Sequence, residues 1–109
     1  MSDLYILKDK IPIKVGVLEW AQNFERIENR RVAETILDLD DDVRVSTVFL
    51  GIDHSWAGPP PIVFETMIFG GKHDQYQDRY STWKQAEEGH ERAVKIAKGE
   101  MDTGIQVNE

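Results

Sequence analysis

Two strongly apolar runs, residues 48–52 and 62–69, constrain the fold more than any other feature of this sequence. Both are far shorter than the roughly 20 apolar residues that a membrane-spanning helix needs. Their length and their content of β-branched and aromatic residues are typical of buried strands. Gly70 and Gly71 supply the flexible exit that a turn requires. The sequence therefore predicts two central strands joined by the loop 53–61.

The first part of the chain predicts a hairpin followed by a helix. Short extended segments flank the polar pair Asp9-Lys10, and Pro12 restricts the second segment to the edge of a sheet. From Val17 onward, apolar residues recur every three or four positions. This spacing places one apolar stripe on a helix, which is expected to end near Asn29.

The last helix has the clearest start signal in the chain. Thr82 is followed three residues later by Gln85, which fits a capping box, and Gly99 stands where a helix would end. The apolar stripe of this helix includes His90. Beyond Gly99, residues 100–109 have no sustained periodicity and predict a flexible C-terminal tail.

The first central strand is predicted to begin at Val43, and further strands are predicted at residues 31–39 and 75–80. Consecutive strands with short turns pair as an antiparallel meander. The segments together predict one α+β domain over residues 1–99, an antiparallel β-meander of about five to six strands with two amphipathic helices, approximately ββαββββα. Because the helices can cover only one face of such a sheet, the other face is expected to stay solvated or to form a dimer, and we predict a homo-oligomer.

Charge and composition exclude several classes of protein. The net charge of −7 over 109 residues argues against binding to phosphate backbones, so no nucleic-acid partner is predicted. The absence of cysteine removes disulfides, thiolate nucleophiles and cysteine-bound zinc. No secretion signal is readable at the amino terminus, and no run is long enough to cross a bilayer, so a cytoplasmic protein without membrane association is expected.

The loop 53–61 contains the first candidate functional residues. His54 beside Asp53 suggests a general base with an orienting acid, but adjacent residues at a strand end point to opposite sides, so Asp53 is poorly placed to orient His54. Two interpretations remain open. In one, the loop is a stiff connection in which Trp56 packs down and three prolines preset the backbone. In the other, His54 and Trp56 form the lip of a binding site.

Glu65 is the second candidate, because a carboxylate within an apolar strand is costly to bury without a partner. The alternation of residues 62–69 puts Glu65 on a partly open face, where an arginine such as Arg44 or Arg79 can pair with it. A structural ion pair and a functional carboxylate are both consistent with this position. Lys72, in the turn after the strand, and Arg79 are candidate cations for a bound ligand.

The remaining titratable residues give no recognisable catalytic or metal motif. His90 lies on an apolar helix stripe, where a histidine is usually buried and hydrogen-bonded, and His73 lies in a polar loop. The histidines are too widely spaced for a local zinc motif. The acidic cluster at 38–42 lacks the glycine and the terminal glutamate of a calcium loop. We therefore predict no metal and no cofactor.

Several motifs carry a likeness that covers most of residues 5–90. They are VSTVFLGIDH at 45–54, GPP at 58–60, FETM at 64–67 and RYSTW at 79–83 with AE and GH shortly after it. The chain resembles a group of small uncharacterised proteins from phage genomes and prophage-bearing bacteria. The acidic cluster and the tail fall outside the likeness. The resemblance implies no particular activity, and its phage context favours an accessory protein.

The leading hypothesis is a noncatalytic phage-type accessory protein that sequesters a small, nucleotide-like ligand or a host defence factor in the cytoplasm of the infected cell. Its site would lie where the loop meets the sheet, with the candidate residues His54, Trp56, Glu65, Lys72 and Arg79. One alternative is a small hydrolase or lyase that uses His54 or His90 with Glu65. Another is a structural or protein-inhibitory module whose apolar sheet is its interface.

Overall fold

The computed structural model describes residues 2–24, 26, 30–38 and 42–101. These residues form six strands and two helices in the order ββαββββα, which confirms the predicted α+β class. The elements are β1 (Leu4–Lys8), β2 (Ile11–Val15), α1 (Val17–Phe24), β3 (Arg31–Asp38), β4 (Val43–Phe49), β5 (Phe64–Phe69), β6 (Gln77–Tyr80) and α2 (Trp83–Ala97). The helix α1 ends at Phe24 and Arg26 is not helical, so the predicted helix end near Asn29 is wrong. Residues 39–41 of the predicted acidic turn and residues 102–109 of the predicted tail lie outside the described residues.

The strands divide into two antiparallel sheets, a hairpin of β1 and β2 and a meander in the order β3-β4-β5-β6. The hairpin turns at Asp9 and Lys10, whose φ angles of 51° and 69° are those of the two-residue turn that matches strand twist. Tyr5 N donates to Gly51 O at 2.8 Å, so β1 runs beside the chain that leaves β4. The hairpin is thus attached at the end of the main sheet that leads into the loop.

The helix α2 covers one face of the meander. The buried side chains of the central strands on that face alternate in sequence, as predicted for half-buried strands. They are Val45, Thr47, Phe49, Phe64, Thr66 and Ile68. Ala86, Ala93 and Ile96 of α2 are fully buried against them. Burial of each large apolar side chain contributes about 1.5–3 kcal/mol.

The start of α2 follows the predicted capping box. Thr82 Oγ1 accepts from Gln85 N at 3.1 Å, and Gln85 Oε1 accepts from Thr82 N at 3.2 Å. These bonds satisfy backbone donors that the first turn of a helix leaves unpaired. Lys10 Nζ lies 5.3 Å from the centre of the Trp83 ring, so the hairpin turn contacts the same end of α2.

The helix α1 does not cover the meander, contrary to the expectation that both helices pack on it. It lies against β1, and Trp20 Nε1 donates to Gly51 O at 3.0 Å. Gly51, with φ at 77°, faces Trp20 and Phe24, whose rings stack at 4.6 Å. Leu18, near the start of α1, is 73 % exposed. Neither described helix is long and apolar enough to cross a membrane.

The second face of the meander is open and carries cross-strand ion pairs. Arg44 of β4 lies 3.6 Å from Glu34 of β3 and stacks over Phe69 of β5 at 4.8 Å. Ile36, on the same face, is 55 % exposed. The face is therefore partly apolar and partly charged. A dimer formed through it remains a prediction.

The absence of a side chain at Gly89 allows α2 to approach the sheet closely. A Cβ atom at this position would overlap the ring and hydroxyl of the buried Tyr80. We expect Gly89→Ala to lower the free energy of unfolding by about 1–3 kcal/mol through overpacking, although alanine favours a helix by about 1 kcal/mol over glycine. Denaturant titration measures this, with Lys84→Ala on the exposed side of α2 as control. A Gly89→Ala variant as stable as the parent would contradict the packing.

Candidate functional site

Asp53 closes the base of the loop that sequence analysis singled out, here called the Trp56 loop (residues 53–62). Its Oδ1 accepts from Ser55 N at 2.8 Å and from Ile62 N at 2.9 Å. His54 N donates to Ile62 O at 2.9 Å across the same base. Desolvation acts to raise the pKa of Asp53, but the backbone donors of Ser55 and Ile62 outweigh it and lower that pKa. The carboxylate thus fixes the backbone of the loop and does not orient His54.

Trp56 projects into solvent from this closed loop. Its side chain is 99 % exposed, so the interpretation in which Trp56 packs down onto the fold is wrong. Residues 54 and 57–60 are exposed as well, and the Pro59-Pro60 bond is cis. A large aromatic side chain left in water by a hydrogen-bonded loop is a feature of binding surfaces, where tryptophan is enriched.

The Trp56 loop forms one wall of an open cleft of about 420 Å³. The cleft brings His54 and Trp56 together with Arg79 of β6. Its other lining residues are Ser55, Ala57, Gly58, Pro59, Pro60 and Ile62. The cleft volume lies within the range of small-molecule sites, and its lining combines apolar atoms with a few polar groups, as such sites do.

Glu65 holds Arg79 beside this cleft. Arg79 Nε lies 2.9 Å from Glu65 Oε2, and Gln77 Nε2 donates to the same oxygen at 2.6 Å. The Glu65 side chain is 12 % exposed and the Arg79 side chain is 42 % exposed. The pairing of Glu65 with an arginine of the open face is therefore confirmed. The carboxylate forms the inner partner, and the guanidinium reaches the surface.

Lys72 is not brought to the cleft. It is exposed in the turn after β5, whereas the Trp56 loop enters at the other end of that strand. Of the five predicted binding residues, the structure gathers His54, Trp56 and Arg79 around the cleft, with Glu65 behind Arg79. The predicted strand 62–69 already separates Lys72 from the loop by its full length, and sequence reasoning overlooked this separation.

His90 belongs to the core and faces away from Glu65. Its Nδ1 hydrogen-bonds with Thr47 Oγ1 at 2.7 Å and its Nε2 with Thr35 Oγ1 at 2.9 Å. Thr47 Oγ1 also lies 2.6 Å from Thr66 Oγ1. Thr66 and Glu65 are neighbours on β5 and point to opposite faces. The sheet therefore separates His90 from Glu65, and a catalytic pair of these two residues is not assembled.

A second cleft, which sequence reasoning missed, adjoins the first. It measures about 370 Å³ and shares Ile62 and Arg79 with the cleft of the Trp56 loop. Its other lining residues are Asp78, Tyr80, Ser81, Gln85, Glu88 and Arg92. Arg92 Nη2 lies 3.3 Å from Asp78 Oδ2. No sequence signal pairs these two residues, because they meet only when α2 packs on β6.

Comparison of the chain with protein-family models, with curated proteins and with solved structures found no significant match. Among the described residues, no group of three or more histidine, aspartate or glutamate side chains is arranged to hold a metal ion. The site is therefore interpreted from its own geometry.

Asp53→Ala should loosen the Trp56 loop. Two backbone donors lose a charged acceptor, a change that typically costs about 1–3 kcal/mol. We expect faster hydrogen exchange at the Ser55 and Ile62 amides. The matched control is Asp74→Ala, because Asp74 Oδ1 accepts from Gly70 N at 2.7 Å in the turn at the other end of β5. Unchanged exchange at Ser55 and Ile62 in Asp53→Ala would contradict the assigned role.

His90 predicts a pH dependence of stability. Burial lowers the pKa of His90 below its ordinary value of 6.5, with Glu91 opposing the shift. The unfolded chain therefore binds more protons than the folded chain below about pH 6.5, and the free energy of unfolding should decrease as the pH falls from there towards the folded pKa. Urea titrations between pH 8 and pH 5 measure this slope.

In the variant His90→Gln, the free energy of unfolding should depend less on pH, whatever the absolute stability of the variant. His54→Gln is the control, because the His54 side chain is exposed and its loss should leave the slope in place. A slope that persists in His90→Gln would show that other groups cause it.

Proposed function

We propose that this protein is a noncatalytic accessory binding protein that holds its target at the Trp56 loop. The observation that carries the proposal is the fully exposed Trp56 on a loop whose base is closed by Asp53. A loop that is already ordered loses little conformational freedom on binding. Such preorganisation favours a binding surface over a simple connection between strands.

The energetic case rests on the area that Trp56 can bury. A tryptophan side chain buries about 150–250 Å², which corresponds to roughly 4–6 kcal/mol before the costs of association are subtracted. His54 and Arg79 stand beside it with polar atoms that can orient a target. The combination of one large aromatic surface and a few polar groups supports recognition of a ligand with an aromatic or apolar portion.

The positions of the acid and base candidates favour binding over reaction. The Glu65 carboxylate already accepts from both Arg79 and Gln77 through Oε2. His90 lies on the other face of the sheet with both ring nitrogens engaged by threonine hydroxyls. The resemblance to small phage proteins favours an accessory role in the cytoplasm of an infected bacterial cell.

Comparison of Trp56→Ala with Leu18→Ala tests the proposal. Both variants remove an exposed apolar side chain, but only Trp56 lines the cleft. The proteins are purified under native conditions from cells that make the natural target, and compounds released on denaturation are identified by mass spectrometry. We expect a compound released intact from the parent and from Leu18→Ala, and its loss from Trp56→Ala. Equal retention by all three would place the binding site elsewhere.

A further inference from the structure

The cleft of the Trp56 loop and the second cleft meet at Arg79 and Ile62. The two clefts differ in chemistry. The first presents the Trp56 indole and prolines, whereas the second presents Ser81, Gln85 and charged side chains. A ligand with its aromatic portion in the first cleft would therefore reach Arg79 with a polar group at its other end.

Arg79 is oriented to accept such a ligand. Its contact with Glu65 uses the N–H on Nε, one of the five N–H donors of a guanidinium. Glu65 lies beneath it, so the charge that reaches solvent at the junction is the positive one. A fork of terminal N–H donors held by a partly buried carboxylate is suited to a phosphate group, which arginine binds with fixed geometry.

The second cleft sets where the phosphate can lie. Arg92 and Asp78 form an ion pair there, and Glu88 adds a further carboxylate, so the interior of this cleft offers no excess positive charge beyond Arg79. A phosphate is therefore accommodated at the Arg79 junction and not deeper.

We propose that the ligand of the Trp56 loop is a nucleoside phosphate, with its base stacked on Trp56, its phosphate on Arg79 and its sugar spanning the distance between them. This inference rests on the proposed function and specifies its ligand. It assigns Glu65 and Gln77 as positioning residues, which act through Arg79.

Titration of the full chain with AMP, adenosine and inorganic phosphate tests the inference. Binding is followed by calorimetry and by tryptophan fluorescence, and unfolding curves confirm that each variant is folded. We expect AMP to bind at least about tenfold more tightly than adenosine, since a charge-assisted hydrogen bond contributes that much. Arg79→Gln should abolish this difference, because it removes the charge that distinguishes AMP from adenosine. Lys95→Gln, which removes an exposed cation elsewhere, should preserve the difference.

Glu65→Gln should change the affinity for AMP in the opposite direction from Arg79→Gln. It keeps the side-chain shape and an oxygen acceptor for Arg79 and removes the negative charge beneath the guanidinium. AMP affinity should therefore increase relative to adenosine affinity. A general disturbance of the cleft would weaken both ligands, so a loss of AMP affinity in this folded variant overturns the assigned role of Glu65.

Different results would overturn the proposed binding function of the Trp56 loop and the proposed nucleoside phosphate ligand. Equal affinity of the parent for AMP and adenosine overturns the phosphate position and leaves a ring-binding site at Trp56. If neither compound binds while Trp56→Ala still loses the compound released on denaturation, the ligand class is wrong and the proposed function stands. If AMP binds equally well to the parent and to Trp56→Ala, the nucleoside phosphate does not use the Trp56 loop, and the inference is overturned.

Discussion

The hydrogen-bonded chain from Thr35 through His90 and Thr47 to Thr66 determines how the rest of the structure is arranged. It joins α2 to β3, β4 and β5 in the middle of an otherwise apolar interface. Buried hydroxyl and imidazole groups are costly when unpaired, so these partners can meet in few relative positions of helix and sheet. Apolar packing alone permits a helix to slide along a sheet. The polar contacts select one position, in which Gly89 lies directly against Tyr80.

The position of β5 beneath α2 also determines which side chains lie on the open face of the meander. With Thr66 held beneath α2, Glu65 must point to the open face, where β6 places Arg79 opposite it. Phe49 and Phe64 pair at the ends of β4 and β5, so the crossing between these two neighbouring strands is made by the residues between them. Asp53 closes that crossing into a short hydrogen-bonded loop, and Trp56 is left at its outside. The candidate site thus depends on a core contact that touches none of its residues.

Sequence reasoning succeeded where a signal is local. The capping box of Thr82 and Gln85, the hairpin turn and the two faces of β5 each follow from a pattern within a few residues. It failed where the outcome depends on tertiary contacts. The packing of α1 beside Gly51 and the second cleft both arise from elements distant in sequence.

The strand β3, at the edge of the meander, shows why the periodicity of apolar residues is not enough to predict which side chains are buried. Its register against β4 shifts on both sides of a central stretch, at Val32 and again at Leu37. Each shift inserts one residue, and both side chains pack against the core that α2 covers. A strict alternation would have placed one of them in water, because the two are an odd number of residues apart. Bulges at an exposed edge also interrupt the ladder that a foreign strand would join.

The two faces of β5 also explain why a buried polar network is retained in so small a core. A slip of one residue would exchange the faces, putting Glu65 beneath α2 and Thr66 in solvent. The neighbouring apolar residues resist such a slip only in part, because Met67 and Phe69 are nearly as apolar as Phe64 and Ile68. The exchange would bury an unpaired carboxylate and leave His90 without its threonine network, and both effects are unfavourable. Polar residues therefore specify the register that apolar residues leave ambiguous, and that register presents Arg79 to the cleft.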